Sequence, residues 1–234
     1  MPTRQKKPAE SGSTPKERKR ILVVDDHPFM RAGLGLLLNQ QPDLQVVGEA
    51  GNPLEARKLL PTLNPDLIIT DLTMPGTSGL DFIRDLKAES PALTILVVSM
   101  HDESIYAERA IKAGARGYVM KESGGEGLLA AVRQVLSGRV YVSPGMAARI
   151  LDGLSNSSPK KSSSPIGKLS DREFEVFQLI GQGKGTQEIA KRLHISTKTV
   201  DVHRAHVKEK LGIADVTGLV RFAVRWLESD GANQ

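Results

Sequence analysis

Cysteine is absent from the 234-residue chain, which excludes disulfide bonds and thiolate metal sites. Long hydrophobic runs are absent too, because no apolar stretch approaches the roughly 18–20 residues that span a bilayer. The first residues are polar and charged, and no apolar signal segment follows them. These absences predict a soluble, cytoplasmic protein without a membrane partner. A hydrophobic content of 39% supports a packed core, and the length suits one large domain or two modest ones.

Charge is distributed unevenly along the chain, whose formal net charge is +5. Residues 1–20 carry seven Lys or Arg against two Glu, and residues 21–151 carry 12 basic against 15 acidic side chains. The acidic middle and the basic ends indicate different partners. Residues 1–19 are dominated by Pro, Ser, Gly and charge, which predicts a disordered basic leader. The alternative is that its "KERKR" segment touches nucleic acid.

Between residues 20 and 143, short apolar runs alternate with segments of helical spacing. Continuous apolar strands separated by helices indicate a parallel sheet that is covered on both faces. We therefore predict a doubly wound α/β domain over residues 20–143. The predicted strands are 21–26, 44–50, 66–72, 94–100 and 117–121, and the predicted helices are 28–40, 53–63, 79–88, 103–113 and 124–137.

The rest of the chain predicts a second, all-helical domain. Residues 144–167 are interpreted as a helix end followed by a flexible linker, because "SNSSPKKSSSPIGK" is rich in Ser, Pro and Lys. Residues 168–230 form the second domain, whose first helix begins at a capping box of Ser170 and Glu173. Further helices are expected at 186–193, 197–211 and 215–228. Two of them, joined by a tight turn, predict a helix-turn-helix.

Polar side chains end several predicted strands: Asp25 and Asp26 on the first, Asp71 on the third, Ser99 on the fourth and Lys121 on the fifth. The carboxyl ends of parallel strands meet at one edge of the sheet, so these side chains should gather there. Clustered carboxylates raise each other's pKa unless a cation lies among them. Oxygen ligands without His or Cys favour Mg²⁺. With a lysine and a hydroxyl beside the metal, the site suits a phosphoryl group.

Asp71 is the best candidate for a carboxylate nucleophile that accepts the phosphoryl group, because it stands alone at the end of the central strand. Ordinary strand-end solubility residues are one alternative. A phosphatase with an aspartyl nucleophile is another, but it commonly uses a second carboxylate two residues later, where Thr73 stands. His27 follows the acidic pair. Because Pro28 comes next, entry into the helix is the expected role of His27, rather than metal binding.

The segments "VVDDHPFMRAGL", "PDLIITDLTMPGTSGLDFI", "ILVVSMHDE" and "AGARGYVMKES" resemble the receiver domain of two-component response regulators, over about residues 20–140. The resemblance implies a flavodoxin-like fold and a sensor histidine kinase as the phosphate donor. It also implies that Asp71 is the phosphoacceptor and that Ser99 and Lys121 contact the phosphoryl oxygens. Mg²⁺ would be bound directly by Asp26, Asp71 and the carbonyl of Thr73, and by Asp25 through water. Tyr118 is similar to the family's switch aromatic.

Residues 168–230 resemble the tetrahelical helix-turn-helix of the LuxR/FixJ/NarL class of regulators, on the segment "LSDREFEVFQLIGQGKGTQEIAKRLHISTKTVDVHRAHVKEKLGI". On the helix from Thr197, one apolar face is expected to pack on the helix before it. The opposite face suits the major groove of double-stranded DNA. There Val202 and Ala205 can meet a thymine methyl and Asp201 can accept from cytosine. Phosphate contacts are expected from Lys198, Thr199, Arg204 and Lys208.

The helical domain carries a net charge of only about +2, which predicts modest DNA affinity for one copy. We therefore expect a homodimer on two half-sites after phosphorylation. The resemblance implies that the last helix, through Val216, Leu219 and Val220, forms the contact between the DNA-bound copies. The alternative is that these apolar residues cover the core of the domain. RNA polymerase is a further candidate partner. These observations predict a transcriptional regulator that is not an enzyme. The alternatives are a phosphate-relay or protein-interaction module, and a constitutive DNA-binding protein with a vestigial receiver. The complete set of strand-end residues argues against the vestigial receiver.

Overall fold

The computed structural model describes residues 17–74, 78–155, 165–193 and 195–231. Most of the predicted basic leader and residues 156–164 of the predicted linker therefore lie outside the described residues. Among the helices that are described, none is long and apolar enough to cross a membrane.

The first domain is built on a five-stranded sheet, as the alternating sequence pattern predicts. Its strands are β1 (Lys19–Val24), β2 (Leu44–Ala50), β3 (Leu67–Thr70), β4 (Thr94–Ser99) and β5 (Gly117–Met120). All neighbouring strands are parallel, in the order β2-β1-β3-β4-β5. Strand β3 is therefore central, and its carboxyl end lies at the middle of the sheet edge.

Five helices cover the two faces of this sheet: α1 (Pro28–Asn39), α2 (Pro53–Leu63), α3 (Gly79–Glu89), α4 (Glu103–Ala113) and α5 (Gly124–Leu136). Successive strand residues point to opposite faces. Ile21 and Val23 accordingly pack in the cluster that contains α1 and α5 residues, whereas Leu22 and Val24 pack with α2, α3 and α4. Burial on both faces explains why the strands read as continuous apolar runs.

The first residue of α3 lies close to the backbone just after β3. Gly79 donates a 3.1 Å backbone hydrogen bond to the carbonyl of Leu72. A Cβ at position 79 would lie 2.4 Å from the Leu72 backbone, so glycine permits this approach. Asp71 directly follows β3, and its amide donates to the carbonyl of Val24 at 3.0 Å.

The second domain consists of α7 (Asp171–Gly181), α8 (Thr186–Leu193), α9 (Thr197–Leu211) and α10 (Val216–Gly231). The predicted capping box is present, because Ser170 accepts from the amide of Glu173 while the Glu173 side chain accepts from the amide of Ser170. The residue before helix α9 is the N-cap Ser196, whose hydroxyl accepts from the amide of Thr199 at 3.0 Å. The helix ends at Gly212, which has a φ of 67°.

Three features differ from the sequence-based predictions. Residues Pro144–Ser155 form a separate helix, α6, rather than a helix end, and its Met146 side chain is buried. Pro165–Lys168, assigned to the flexible linker, form a 3₁₀ helix in which Ile166 is buried. Leu219 was expected on an exposed dimer face but is fully buried, so this part of the prediction was wrong. Its apolar side chain completes the core of the second domain.

Candidate functional site

The carboxyl edge of the sheet brings the predicted strand-end residues together. Lys121 follows β5, and its Nζ lies 2.7 Å from Asp25 Oδ2 and 2.7 Å from Asp71 Oδ2. All three side chains are almost fully buried, with exposed fractions of 3–4%. Burial lowers the pKa of Lys121, but hydrogen bonds and charge attraction from Asp25 and Asp71 outweigh it, so the pKa is raised. The lysine therefore stays charged and bridges two carboxylates from different strands.

Backbone amides fix the orientation of two of the carboxylates. Asp71 Oδ1 accepts from the amide of Leu72 at 2.6 Å and from that of Thr73 at 3.4 Å. Asp25 Oδ1 accepts from the amide of His27 at 2.8 Å. Each carboxylate thus has one oxygen bound to its own loop and the other directed at Lys121.

The donor set fits a divalent cation. Asp25, Asp26, His27 and Asp71 each offer one ligand atom, and these atoms lie within 4.8 Å of one another. Asp25 and Asp71 share one ammonium group, and Asp26 adds a third carboxylate to the cluster, which leaves excess negative charge at the site. Carboxylate oxygens are hard ligands that suit Mg²⁺. The residues present therefore fit the predicted metal.

His27 has the role that its position before Pro28 predicts. It is the residue before the first turn of α1, and its carbonyl accepts from the amide of Arg31 at 3.1 Å. Its ring is largely exposed, and Nδ1 lies 2.8 Å from Asp26 Oδ1 and 3.1 Å from Asp25 Oδ1. The ring thus borders the carboxylate cluster on its solvent side.

The other two predicted residues of this site are buried beside it. Ser99 is the last residue of β4 and is fully buried. Tyr118 in β5 is also fully buried, and its hydroxyl donates to the carbonyl of His101 at 2.7 Å. Burial raises the pKa of Tyr118, which keeps the phenol protonated as a hydrogen-bond donor. The ring therefore points into the domain.

The predicted DNA-reading face of α9 is open to solvent. Lys198, Asp201, Val202 and Ala205 are exposed, and Val202 is 46% exposed. The opposite face packs inward, with Val200 and Val207 fully buried. Thr199 and Lys208 are partly exposed, and the Thr199 hydroxyl contacts Ser196 at 2.8 Å. Both predicted faces of the helix are thus present.

Arg204 differs from the other residues predicted to contact phosphate. It is partly exposed, and its guanidinium donates a 2.6 Å hydrogen bond to the hydroxyl of Thr186 at the start of α8. Arg204 thereby ties the recognition helix to the preceding helix of the motif. This contact was not predicted, although the pairing of the two helices was.

A second set of residues, which the sequence did not single out, joins the two domains. Arg84 of α3 and Arg109 of α4 both bind the carboxylate of Asp171, at the start of α7. Ser78 donates to Glu175 Oε1 at 2.8 Å. In the sequence, these charged residues look like solvent-exposed positions on helices. Their contacts become evident only from the packing of α7 against α3 and α4.

The fold and the site together define a class of protein. A doubly wound α/β domain with a carboxylate–lysine cluster at its sheet edge precedes a helix-turn-helix, which is the architecture of a phosphorylation-controlled regulator. Residues 21–133 match the response regulator receiver domain. Residues 167–223 match the bacterial regulatory proteins of the luxR family.

Individual relatives agree along most of the chain. Oxygen regulatory protein NreC of Staphylococcus carnosus is 35% identical over 210 residues, which cover 88% of this chain and 97% of that protein. NreC of Staphylococcus epidermidis is 36% identical over 211 residues, with the same coverage. The chain therefore belongs to the two-component response regulators of the LuxR class, as the sequence motifs predicted.

Solved structures give the same result. RcsB from Salmonella enterica serovar Typhimurium, bound to promoter rprA with a phosphomimetic, is 27% identical and has a TM-score of 0.62. That alignment covers 89% of this chain and 99% of RcsB. A LuxR-family response regulator from Aurantimonas sp. is 37% identical over 59% of this chain and 99% of its own, with a TM-score of 0.55. The predictions of fold class and of a DNA-binding response regulator are thereby confirmed.

Proposed function

We propose that phosphorylation of Asp71 by a sensor histidine kinase switches this response regulator. The observation that carries the proposal is the bridge from Lys121 to both Asp71 and Asp25, at a buried sheet edge that also holds Asp26. A structural salt bridge would need one carboxylate for one lysine. The excess of carboxylates instead suits a site that receives a cation and a phosphoryl group.

The chemistry follows from this arrangement. A carboxylate oxygen of Asp71 attacks the phosphorus, a new P–O bond forms, and the bond from phosphorus to the donor's leaving atom breaks with its electron pair going to that atom. Asp26, Asp71 and the carbonyl of Thr73 would hold Mg²⁺ directly and Asp25 through water, and the ion would supply positive charge to neutralise the phosphoryl oxygens. Lys121 and Ser99 then contact those oxygens.

The acyl phosphate acts as a switch through the residues around it. The new phosphoryl group presents strong acceptor oxygens, and Ser99 moves toward them. Tyr118, which is already buried and hydrogen-bonded to the carbonyl of His101, then shifts within the domain toward the space that Ser99 leaves. The surface formed by α4, β5 and α5 then repacks.

The output of the switch is binding to double-stranded DNA. Helix α9 lies in the major groove, where Asp201, Val202 and Ala205 read bases and Lys198, Thr199, Arg204 and Lys208 contact phosphates. A homodimer on two half-sites supplies the affinity that one weakly basic domain lacks. Val216 of α10 is 49% exposed and Val220 is partly exposed, which supports a contact between copies through this helix. The RcsB structures include dimers bound to DNA.

The domain boundaries that fit this function are 20–143 for the receiver and 168–230 for the DNA-binding domain. Helix α6 and the 3₁₀ helix of Pro165–Lys168 lie between them and connect the two. RNA polymerase is the partner through which a DNA-bound dimer would change transcription.

The experiment is labelling with acetyl phosphate in the presence of Mg²⁺. We expect the wild-type protein to be labelled and Asp71→Asn not to be, because the amide nitrogen cannot replace the attacking carboxylate oxygen. Asp81→Asn changes a carboxylate on the receiver surface and serves as the matched control, which should be labelled like the wild type. Label in Asp71→Asn would refute the assignment of the phosphoacceptor. Undiminished label after removal of Mg²⁺ with a chelator would refute the metal site.

A further inference from the structure

His101, in the loop between β4 and α4, contacts three residues of the candidate phosphorylation site. Its amide donates to Ser99 Oγ at 3.4 Å, and its carbonyl accepts from the Tyr118 hydroxyl at 2.7 Å. Its ring nitrogen Nε2 lies 2.6 Å from the hydroxyl of Thr73, two residues after Asp71. The two proposed switch residues are therefore both hydrogen-bonded to the backbone of one residue.

The His101 ring also contacts Tyr106 of α4, and Tyr106 in turn contacts the DNA-binding domain. The ring stacks on Tyr106 of α4, with centroids 4.6 Å apart and planes inclined by 28°. Tyr106 is buried, and its hydroxyl donates to Gln178 Oε1 on α7. The Tyr106 ring also meets Phe174 edge-on at 5.5 Å. Phe174 belongs to the core of the second domain, so two side chains span the distance from Thr73 to that core.

The rest of the interface holds α7 in place around this contact. Asp171 is bound by two arginines of the receiver, and the Arg109 guanidinium also lies 4.1 Å from the centre of the Phe174 ring. Arg109 donates further hydrogen bonds to the carbonyls of Ile166 and Leu169. Most of these groups are buried, so a small displacement of α4 leaves polar atoms without partners and is costly. Such an interface switches between two discrete packing arrangements and does not deform continuously.

We infer that His101 is a positioning residue that couples the phosphorylation state of Asp71 to the docking of the DNA-binding domain. This inference rests on the proposed function of Asp71. When Ser99 and Tyr118 move, the amide and the carbonyl of His101 both lose their present partners, and the loop shifts. The ring then no longer supports Tyr106, and the hydrogen bond from Tyr106 to Gln178 is lost. The recognition face of α9 is exposed in this arrangement, so the coupling acts on how α7 is held, not by covering the DNA-reading surface.

The test compares full-length variants at equal phosphorylation of Asp71, brought about with acetyl phosphate and quantified by intact mass. One readout is the ratio of DNA affinities with and without phosphate. The other is the fluorescence of Trp226, the single tryptophan of the chain, whose ring lies 5.6 Å from Phe174. In the wild type we expect phosphorylation to change affinity by about fivefold or more, a common size for coupling between sites. In His101→Ala we expect the ratio to fall to within about twofold of one, with no fluorescence change.

Met100→Ala is the matched control, because Met100 is the adjacent residue of the same loop and is 60% exposed. It should keep the wild-type ratio. A purely structural role for His101 would shift both affinities equally and leave the ratio unchanged, and that result would overturn the inference.

A second variant, Tyr106→Phe, removes only the hydroxyl that bonds Gln178. If His101→Ala does not fold, a wild-type ratio in Tyr106→Phe overturns the inference instead. Failure of the proposed function would be recognised separately, because the Asp71→Asn variant would then still be labelled by acetyl phosphate.

Discussion

The ammonium group of Lys121 donates a 2.7 Å hydrogen bond to the carboxylate of Asp71, across strands β5 and β3 that are not neighbours in the sheet. The two side chains are separated by 50 residues in sequence and are buried to the same degree. In the absence of a phosphoryl group, the lysine compensates the charge of the proposed phosphoacceptor. The same lysine is then in place to bind the phosphoryl oxygens once the acyl phosphate has formed.

Lys121→Met should destabilise the receiver domain strongly when no divalent cation is present. The change leaves the carboxylates of Asp25 and Asp71 buried without their cation, and removal of one partner from a buried ion pair costs about 3–5 kcal/mol. Added Mg²⁺ should restore part of this loss, because the cation compensates the same carboxylates. Urea unfolding with and without Mg²⁺ measures both effects.

The control for this variant is Lys112→Met. Lys112 pairs with Glu108 one helical turn away, and both side chains are more than half exposed. Its loss should change the free energy of unfolding by about 0.5 kcal/mol or less, with or without Mg²⁺. If Lys121→Met is no more destabilising than Lys112→Met, Lys121 does not compensate the buried carboxylates.

Lys208→Ala should weaken binding to every DNA sequence by a similar factor. Lys208 lies on the proposed DNA-facing side of α9, and a phosphate contact carries no sequence information. The slope of log affinity against log salt concentration should fall in magnitude by about 0.9 for each phosphate contact that is lost. Titrations at several salt concentrations measure this slope. Lys58→Ala, an exposed change on α2 of the receiver, should leave the slope at its wild-type value.

Val202→Thr should change the sequence preference of the protein rather than its general affinity. The exposed Val202 side chain is placed to meet a thymine methyl, and one mismatched base pair typically costs about 1–3 kcal/mol. Selection from a pool of randomised sites measures the preference at each position. Val140→Thr is the matched control, because Val140 is about equally exposed but lies in the receiver domain. Preferences that are identical in all three proteins would exclude Val202 from base reading.

The strand-end site could be predicted from the sequence because it depends only on topology. Once apolar runs and helices alternate, the sheet must be parallel, and Asp25, Asp71 and Lys121 must meet at one edge. The start of the first helix of the second domain could also be predicted, because the capping box of Ser170 and Glu173 is a local sequence signal. Local patterns and topology together therefore determine the elements and the proposed phosphorylation site.

The interface between the domains could not be predicted in this way. The pairing of Asp171 with Arg84 and Arg109 joins side chains that are 87 and 62 residues apart and lie on different domains. In the sequence each of these residues looks like part of a solvated helix face. Leu219 shows the converse error, since an apolar residue on an amphipathic helix fits a dimer contact and a core equally well. Only tertiary packing distinguishes these alternatives.

Glu173→Gln should reduce the loss of stability of the DNA-binding domain in acid. Burial raises the pKa of Glu173, but hydrogen bonds from Lys210 and Ser170 outweigh it, so the pKa lies below its ordinary value of 4.5. A carboxylate with a lowered pKa contributes stability above pH 4.5, and this contribution is lost as the pH falls through the folded-state pKa.

Glutamine at position 173 keeps the capping box but not the charge. We expect the variant to be less stable at pH 7 by about 1.5–3 kcal/mol, the worth of a hydrogen bond to a charged group, and to approach the wild type as the pH falls below 4.5. Urea unfolding monitored by Trp226 fluorescence from pH 7 to pH 3 measures this, and Glu209→Gln, at an exposed position of α9, should follow the wild-type curve. A constant difference between Glu173→Gln and the wild type across this range would show that the charge of Glu173 has no part in acid unfolding.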